Sequence, residues 1–307
     1  MRTFVKKGIS FMEHRGLLNW MDDEHYLRLI YWKNFGKKLN LLNPQTFNEK
    51  LQWLKLYDRR PEYTKMVDKY EAKKYVASII GDKYIIPTLG VWDTFDEIDF
   101  SKLPDQFVLK CTHDSGGLVI CKDKKNLDVE AARKKINNSL KTNYYLHGRE
   151  WPYKDVNPRI IAEQYLSDLA GDTLDYKVHN FNGIPKMVLV CSERFSELGL
   201  KEDFFDTEWR HLDIKRPSHP NSDTSIECPQ LLSEMLKVSK VLSESIPFVR
   251  TDFYEIGGQL YFGELTFYPA SGSEKFEPDK YDEILGEWIK IPIDGGNLKK
   301  PENDTDD

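Results

Sequence analysis

The sequence is short of the features that mark a disulfide scaffold, a zinc enzyme, a membrane span or a nucleic-acid binder. Its 307 residues hold only four cysteines (Cys111, Cys121, Cys191 and Cys228), none of them in a C-x-x-C pair. Three sit inside apolar runs, which predicts buried free thiols in a reducing compartment rather than a disulfide framework. The seven histidines show no H-E-x-x-H or H-x-x-x-H spacing, so catalytic zinc is excluded. No apolar run approaches the roughly 20 residues of a membrane span. Lys6, Lys7, Glu13, His14 and Arg15 break up Met1–Trp20, so it lacks the compact apolar core of a signal peptide. Neither sign of charge dominates: 44 Lys and Arg face 50 Asp and Glu, and a net charge of −6 gives no electrostatic case for nucleic acid as a partner. There is no internal repeat, no G-x-G-x-x-G and no Walker A loop. With 40% hydrophobic residues the chain can bury a real core. The expectation is a soluble, cytoplasmic globular protein of two or three lobes.

Along the chain, helical spacing of Tyr26, Leu27, Ile30 and Tyr31 predicts an N-terminal helical region over residues 1–62. Its apolar face either packs on the body or touches a membrane surface. Thr46 and Glu49 match a capping box ahead of Phe47, Leu51 and Leu54. A helix is predicted over Thr64–Ile80 with Gly81 as its stop. A first lobe over 63–158 then offers strands at 85–92, 107–113 and 118–122 and a helix at 128–141. A second lobe over 159–292 offers strands at 159–166, 174–181 and 185–195, the last two joined by the hairpin turn Asn182-Gly183. Residues 196–227 read as a long polar loop, 230–245 as a helix, 248–256 and 260–267 as a final hairpin. Pro278 opens a helix carrying Tyr281, Ile284, Leu285 and Trp288, and 293–307 reads as a disordered tail. The irregular interleaving of helices and strands predicts an α+β fold built on antiparallel sheets.

The final hairpin carries the sharpest chemistry. A two-residue loop at Gly257-Gly258 pairs 256 with 259 and sends Asp252 and Glu264 to opposite sides. A three-residue loop pairs 256 with 260 and sets Asp252 opposite Glu264, with Arg250 and Thr266 on the same face. The latter gives one guanidinium, two carboxylates and a hydroxyl on one patch. Two carboxylates about 5 Å apart repel unless a cation sits between them, and oxygen ligands suit Mg²⁺. The bland alternative is a solvated face on an amphipathic hairpin. Against it, the charges lie among Phe248, Val249, Phe253, Tyr254, Tyr261, Phe262 and Phe267.

Two weaker features accompany it. In Phe107–Val119 a strand delivers Lys110, then His113, then the small loop Asp114-Ser115-Gly116-Gly117. Such a loop can turn N–H groups toward phosphate oxygens while the lysine neutralises them, although an ordinary hairpin reads the same way. In Ile160–Leu166 an apolar strand ends at Glu163 and Tyr165, whose backbone can hold an adenine edge; Asp172 or Asp175 after the turn can hold a ribose diol. Taken alone, the pattern is better explained by a strand-end acid plus turn aspartates.

Asp68-Lys69, Lys110…His113-Asp-Ser-Gly, Glu163, Asp175-Tyr-Lys177, Asp206…Trp209 and Asp252-Phe-Tyr…Gly263-Glu-Leu-Thr-Phe-Tyr-Pro-Ala-Ser-Gly recur in one order. With Asn43–Trp53 ahead of them, this order resembles the ATP-grasp superfamily, and within it the TupA-like branch tied to teichuronopeptide and surface-polysaccharide products. The resemblance covers about Leu41–Trp288. It implies two α+β lobes clasping ATP, with Lys69 and Lys110 on the phosphates and the Asp114–Gly117 loop closing over them. Glu163 and the backbone near Tyr165 would meet adenine, Asp175 the ribose, and Lys177 belongs to the nucleotide-binding set. Asp252 and Glu264 would ligate Mg²⁺, with Arg250 beside the transferred phosphoryl group. Most of the superfamily has Asn where this chain has Thr266, so the third ligand is that hydroxyl or a water. His113 is a candidate substrate contact or base, and Arg194 and Trp209 are candidates for the acceptor pocket.

The implied activity is ATP-dependent carboxylate–amine ligation. A carboxylate, expected to be a uronic acid of a surface polysaccharide, becomes an acyl phosphate that an amine then attacks. Alternatives are a glycosyltransferase or sugar kinase of the same pathway, or a non-catalytic nucleotide- or polysaccharide-binding module. No D-x-D sits at a strand end to favour a glycosyltransferase. Peripheral membrane association through the N-terminal helices stays open.

Overall fold

The computed structural model describes residues 2–166, 174–193 and 199–291. The expected disordered tail lies outside them. Two N-terminal helices come first, α1 (Arg2–His14) and α2 (Asp23–Phe35). Tyr26, Leu27, Ile30 and Tyr31 of α2 are buried, so the face read from the sequence packs on the body. α3 (Phe47–Tyr57) opens on the expected capping box: Thr46 Oγ1 accepts from Glu49 N and the Glu49 carboxylate accepts from Thr46 N. The single helix expected over 64–80 is instead two, α4 (Glu62–Val67) and α5 (Lys69–Ile80). Asp68 breaks it. Its extended backbone ends α4, and its carboxylate accepts from Tyr70 N (2.8 Å) and Glu71 N (3.1 Å) to cap α5.

The first sheet holds β1 (Thr88–Trp92), β2 (Phe107–Cys111), β3 (Leu118–Cys121) and, after α6 (Val129–Leu140), β4 (Ile160–Gln164). All pairings are antiparallel, in the order β1-β4-β2-β3. The lobe boundary expected at 158–159 therefore falls in the wrong place: β4 is a central strand of the first sheet. Its four leading residues, Ile160 to Glu163, are all buried. An apolar cluster under α6 includes Phe107, Leu109, Ile136 and Ile160.

The second sheet runs β7-β6-β5-β8-β9, again antiparallel. β5 (Asp175–Phe181) and β6 (Ile184–Ser192) meet at Asn182-Gly183, both at positive φ as the hairpin requires. β7 (Lys201–Asp206) lies inside the segment expected to be loop. α7 (Leu232–Leu242) covers one face, β8 (Phe248–Ile256) and β9 (Gln259–Thr266) complete the sheet, and α8 (Lys280–Trp288) packs beside α3. Cys111, Cys121 and Cys191 are buried free thiols and Cys228 is an exposed one. No helix among the described residues is long and apolar enough to cross a membrane.

Candidate active site

The β8–β9 hairpin settles the loop question with a third solution. Gly257 and Gly258, both at positive φ, form the two-residue turn, and Ile256 pairs with Gln259. Continued to the end, that register would separate the two acids. It does not continue: Phe253 pairs with Phe262, yet Thr251 pairs with Leu265 and Arg250 with Thr266. β9 has one extra residue between Phe262 and Glu264, a β-bulge at Gly263. A Cβ at Gly263 would lie 3.2 Å from the Asp252 carbonyl oxygen and 3.1 Å from the Tyr254 ring, so this close approach favours glycine. The bulge reverses the facing of everything beyond it. Asp252, Glu264, Arg250 and Thr266 end on one face, as the three-residue loop had been expected to place them, but through a bulge instead.

Arg250 gathers the group. Its Nε donates to Asp252 Oδ1 (2.7 Å), and its Nη2 donates to Asp252 Oδ2 (2.7 Å), Thr266 Oγ1 (3.1 Å) and Glu264 Oε1 (3.3 Å). From β5, whose Lys177 pairs with Asp252 across the ladder, Lys177 Nζ donates to Asp252 Oδ2 and lies 2.7 Å from Asp175 Oδ2. Burial alone would raise the Asp252 carboxyl, but Arg250 and Lys177 overcome it and hold it at about 2. Burial works against the Lys177 ammonium, yet Asp252 and Asp175 push it up to about 12. Asp252 is buried, while the Glu264 side chain is 45% exposed toward solvent.

The facing cluster is built on β2, β4 and α5. Glu163 is buried between two lysines: Lys110 Nζ lies 2.6 Å from its Oε2, and Lys73 Nζ bonds its Oε1. Lys73 also donates to Ile86 O (2.7 Å) and Thr88 Oγ1 (3.3 Å). Burial would raise the Glu163 carboxyl, but Lys110 and Lys73 bring it down to about 2. The two clusters sense each other. The charge of Glu264 acts on both Lys69 and Lys110, and that of Asp175 on Lys110. Burial pulls the Lys69 ammonium down, and its Nζ donates to Asp114 O. Lys110 keeps 25% of its side chain exposed.

Several expected site residues sit differently. Asp114 does not face outward: it accepts from Gly117 N (3.1 Å) and from Ser139 Oγ, bracing the loop whose tip, Ser115-Gly116, is exposed. Gly117 is fixed sterically, since a Cβ there would meet Ser139 Oγ at 2.4 Å and Cys111 Sγ at 2.6 Å. His113 is buried, with Nε2 near the carbonyls of Ser139 (3.2 Å) and Thr142 (3.0 Å), so it pins the end of α6 rather than meeting a substrate. Asp175 is buried and ion-paired with Lys177; the alternative for the ribose, Asp172, lies outside the described residues. Tyr165 follows β4, half-buried. Arg194 lies outside the described residues. Trp209, half-buried, stacks on Phe205 (4.3 Å, 7°) and its Nε1 donates to Ile226 O (3.2 Å).

Sequence reasoning missed Lys73, one turn after Lys69 on α5 and therefore on its face. It also missed two buried charge clusters. Arg216 joins Glu202 (2.9 Å to both oxygens) to Glu274 (2.5 Å), fastening β7 to the segment after β9. Lys55 donates to Gly148 O (2.7 Å) and Ser271 O (2.8 Å), beside Glu150, whose carboxyl burial raises.

The donor set at the hairpin fits a hard divalent ion. Among the described residues no three or more His, Cys, Asp or Glu converge. Two carboxylates and a hydroxyl are hard oxygen donors of the kind Mg²⁺ takes, and with so few protein ligands such an ion would keep water or phosphate oxygens in its shell; Arg250, which bonds the same oxygens, would have to turn aside.

A family model described as TupA-like ATPgrasp matches residues 49–290, and the chain belongs to that family. No curated protein matches. Among solved structures, the chain is similar to the D-alanine–D-alanine ligase of Bacillus anthracis complexed with ATP (16% identity, TM-score 0.41, covering 73% of this chain and 63% of that one). It is similar also to the D-alanine–D-alanine ligase of Helicobacter pylori (15%, 0.39, 73% and 61%) and to the ATP-grasp ligase PsnB complexed with a minimal precursor, Mg and ADP (12%, 0.38, 72% and 57%). The match spans less than two-thirds of the length of each of these chains.

Proposed function

We propose that this protein is an ATP-dependent ligase that joins a carboxylate, of the uronic-acid type found in bacterial surface polysaccharides, to an amine. Family membership supports the ATP-dependent ligation. One observation carries the chemistry: the bulged hairpin sets Arg250, Asp252, Glu264 and Thr266 on one face, near enough to Lys69 and Lys110 for the charge of Glu264 to act on both lysines.

Bound Mg-ATP would supply the γ-phosphoryl group that converts a carboxylate, otherwise a poor electrophile, into an acyl phosphate open to amine attack. The chain's own part is positioning and charge neutralisation. Asp252 and Glu264, with Thr266 or a water, would hold the Mg²⁺. Lys110, partly exposed, can swing from Glu163 to a phosphate, while Lys73 keeps the Glu163 carboxylate charged and in place. Lys69 and the exposed tip Ser115-Gly116 would close over the phosphates and exclude water. Arg250, held by Asp252, would meet charge developing on the transferred group. The backbone at Glu163 and Tyr165 would take the adenine edge.

The test is a screen of uronic acids against amino acids for ADP release, with product identification. The expected result is ADP together with an amide, abolished in Asp252→Asn and Glu264→Gln variants that still fold. A phosphorylated sugar without an amide would replace ligation by a kinase reading.

A further inference from the structure

Isolated exposed apolar residues are ordinary on a protein surface, whereas clustered ones mark an interaction. Phe4, Val5, Phe11, Leu17 and Trp20 make up half of the large apolar residues found exposed among the described residues, and all fall in the first twenty positions. Phe4 is 81% exposed, Phe11 59% and Trp20 82%. On α1, Phe4 and Phe11 are two turns apart and share a stripe with Lys7 and Arg15. The Arg15 guanidinium lies 5.6 Å from the Phe11 ring centre. A Cβ built on Gly8, between them, meets nothing within 4 Å, so nothing described in the chain covers this stripe.

The helix cannot simply roll to hide it. Its other side is anchored: Ile9 is buried, Met12 packs on the core, and Glu13 accepts from Tyr26 OH (3.3 Å) and pairs with Lys33. Charge then selects the occupant. Residues 1–20 carry Arg2, Lys6, Lys7 and Arg15 against Glu13 alone, a net of +3 in a chain of net −6. Directly beside α1 a groove of about 540 Å³ is lined by Lys6, Lys7, Lys33 and Lys275. Two copies meeting through this face would bring like charges together, which disfavours a symmetric dimer.

We propose that α1 and the turn after it dock on the surface of an anionic lipid bilayer, the aromatic side chains entering the headgroup layer and the lysines of the groove meeting lipid phosphates. Interleaved aromatic and basic residues on a helix that lies along a surface are the physical requirement for such binding, and each basic residue near an anionic leaflet adds to it. The surface functions whether or not the cleft between the sheets binds a nucleotide.

The test is co-sedimentation of the full chain with vesicles of phosphatidylglycerol and phosphatidylcholine, against phosphatidylcholine alone, with chain mass measured in solution. The wild type is expected to pellet with the anionic vesicles and to be released by salt. Phe4→Ser/Phe11→Ser/Trp20→Ser and Lys7→Glu/Arg15→Glu variants are each expected to lower the partition coefficient by about tenfold or more. All five positions are exposed, so circular dichroism and melting should be unchanged. Failure to bind anionic vesicles, equal binding to neutral ones, or unaltered binding by both variants overturns the proposal. So does a wild-type dimer that the serine variant converts to monomer, which would make the occupant a second copy.

Discussion

Glu163 is held between Lys73 and Lys110, and two of the three are legible in the sequence while the third is not. Glu163 and Lys110 stand out in the sequence because each interrupts an apolar strand, where a charge needs a reason. Lys73 is one of three lysines within six residues of α5 and reads as solvated; only the fold reveals that it turns inward while Lys74 stays exposed. Glu163→Gln removes the one anion between two ammonium groups. Breaking such a buried arrangement is expected to lower stability by roughly 2–4 kcal/mol, with part of the loss spared because Lys110 can turn to solvent. Urea unfolding measures it, and a midpoint within error of the wild type would show that the lysines find other partners. His113 and Trp209 teach the reverse lesson. Both were attractive as substrate contacts because their chemistry suits the task, and both are used on neighbouring backbone carbonyls.

At the level of elements, the capping box of α3 and the Asn182-Gly183 hairpin were readable because their signals are local. The bulge at Gly263 was not read, because only turn length was weighed, although the apolar pattern carries a trace of it. Buried apolar residues fall at Leu260 and Phe262 of β9, then at Leu265 and at Phe267 just past its end, so the alternation changes phase across Gly263. β7 was missed because Lys-Glu-Asp-Phe-Phe-Asp shows no alternation; its acids are buried by partners far along the chain, Arg216 for Glu202 and Ser222 N for Asp203. Gly263→Val pushes a branched side chain against the Asp252 carbonyl and the Tyr254 ring. The expected cost is about 1–3 kcal/mol in urea unfolding, with weaker Mg-ATP binding because Asp252 is displaced. Wild-type values for both would mean that the bulge tolerates a side chain.

At the scale of the molecule, the α+β class and the antiparallel sheets were legible, whereas strand order was not. β4 enters between β1 and β2 after a long excursion, and nothing in its own residues says which sheet it joins. One whole-molecule property follows from burial on the site face of the second sheet. His179, on β5 opposite Arg250, is buried, and burial together with Arg250 lowers its pKa to about 3. In the unfolded chain it protonates near the ordinary value of about 6.5, so its contribution to stability is present above that pH and is lost as pH falls toward 3. The slope is at most about 1.4 kcal/mol per pH unit. Asp252 and Glu163, both lowered to about 2, add losses only below about pH 4. In His179→Phe, whose ring would keep its place between Phe204 and Phe248, stability between pH 6.5 and 4.5 is expected to flatten in urea titrations. An unchanged slope would move the pH sensitivity to other groups.

The most direct measurement of the central claim is calorimetric titration of ATP into the wild type, Asp252→Asn and Glu264→Gln, with and without Mg²⁺. The face shared by Arg250, Asp252, Glu264 and Thr266 predicts ATP binding that Mg²⁺ strengthens in the wild type and does not strengthen in either variant, while Lys69 and Lys110 leave residual Mg-free binding in all three. ATP binding in the wild type that is indifferent to Mg²⁺, or a Mg²⁺ effect that survives both substitutions, would contradict it.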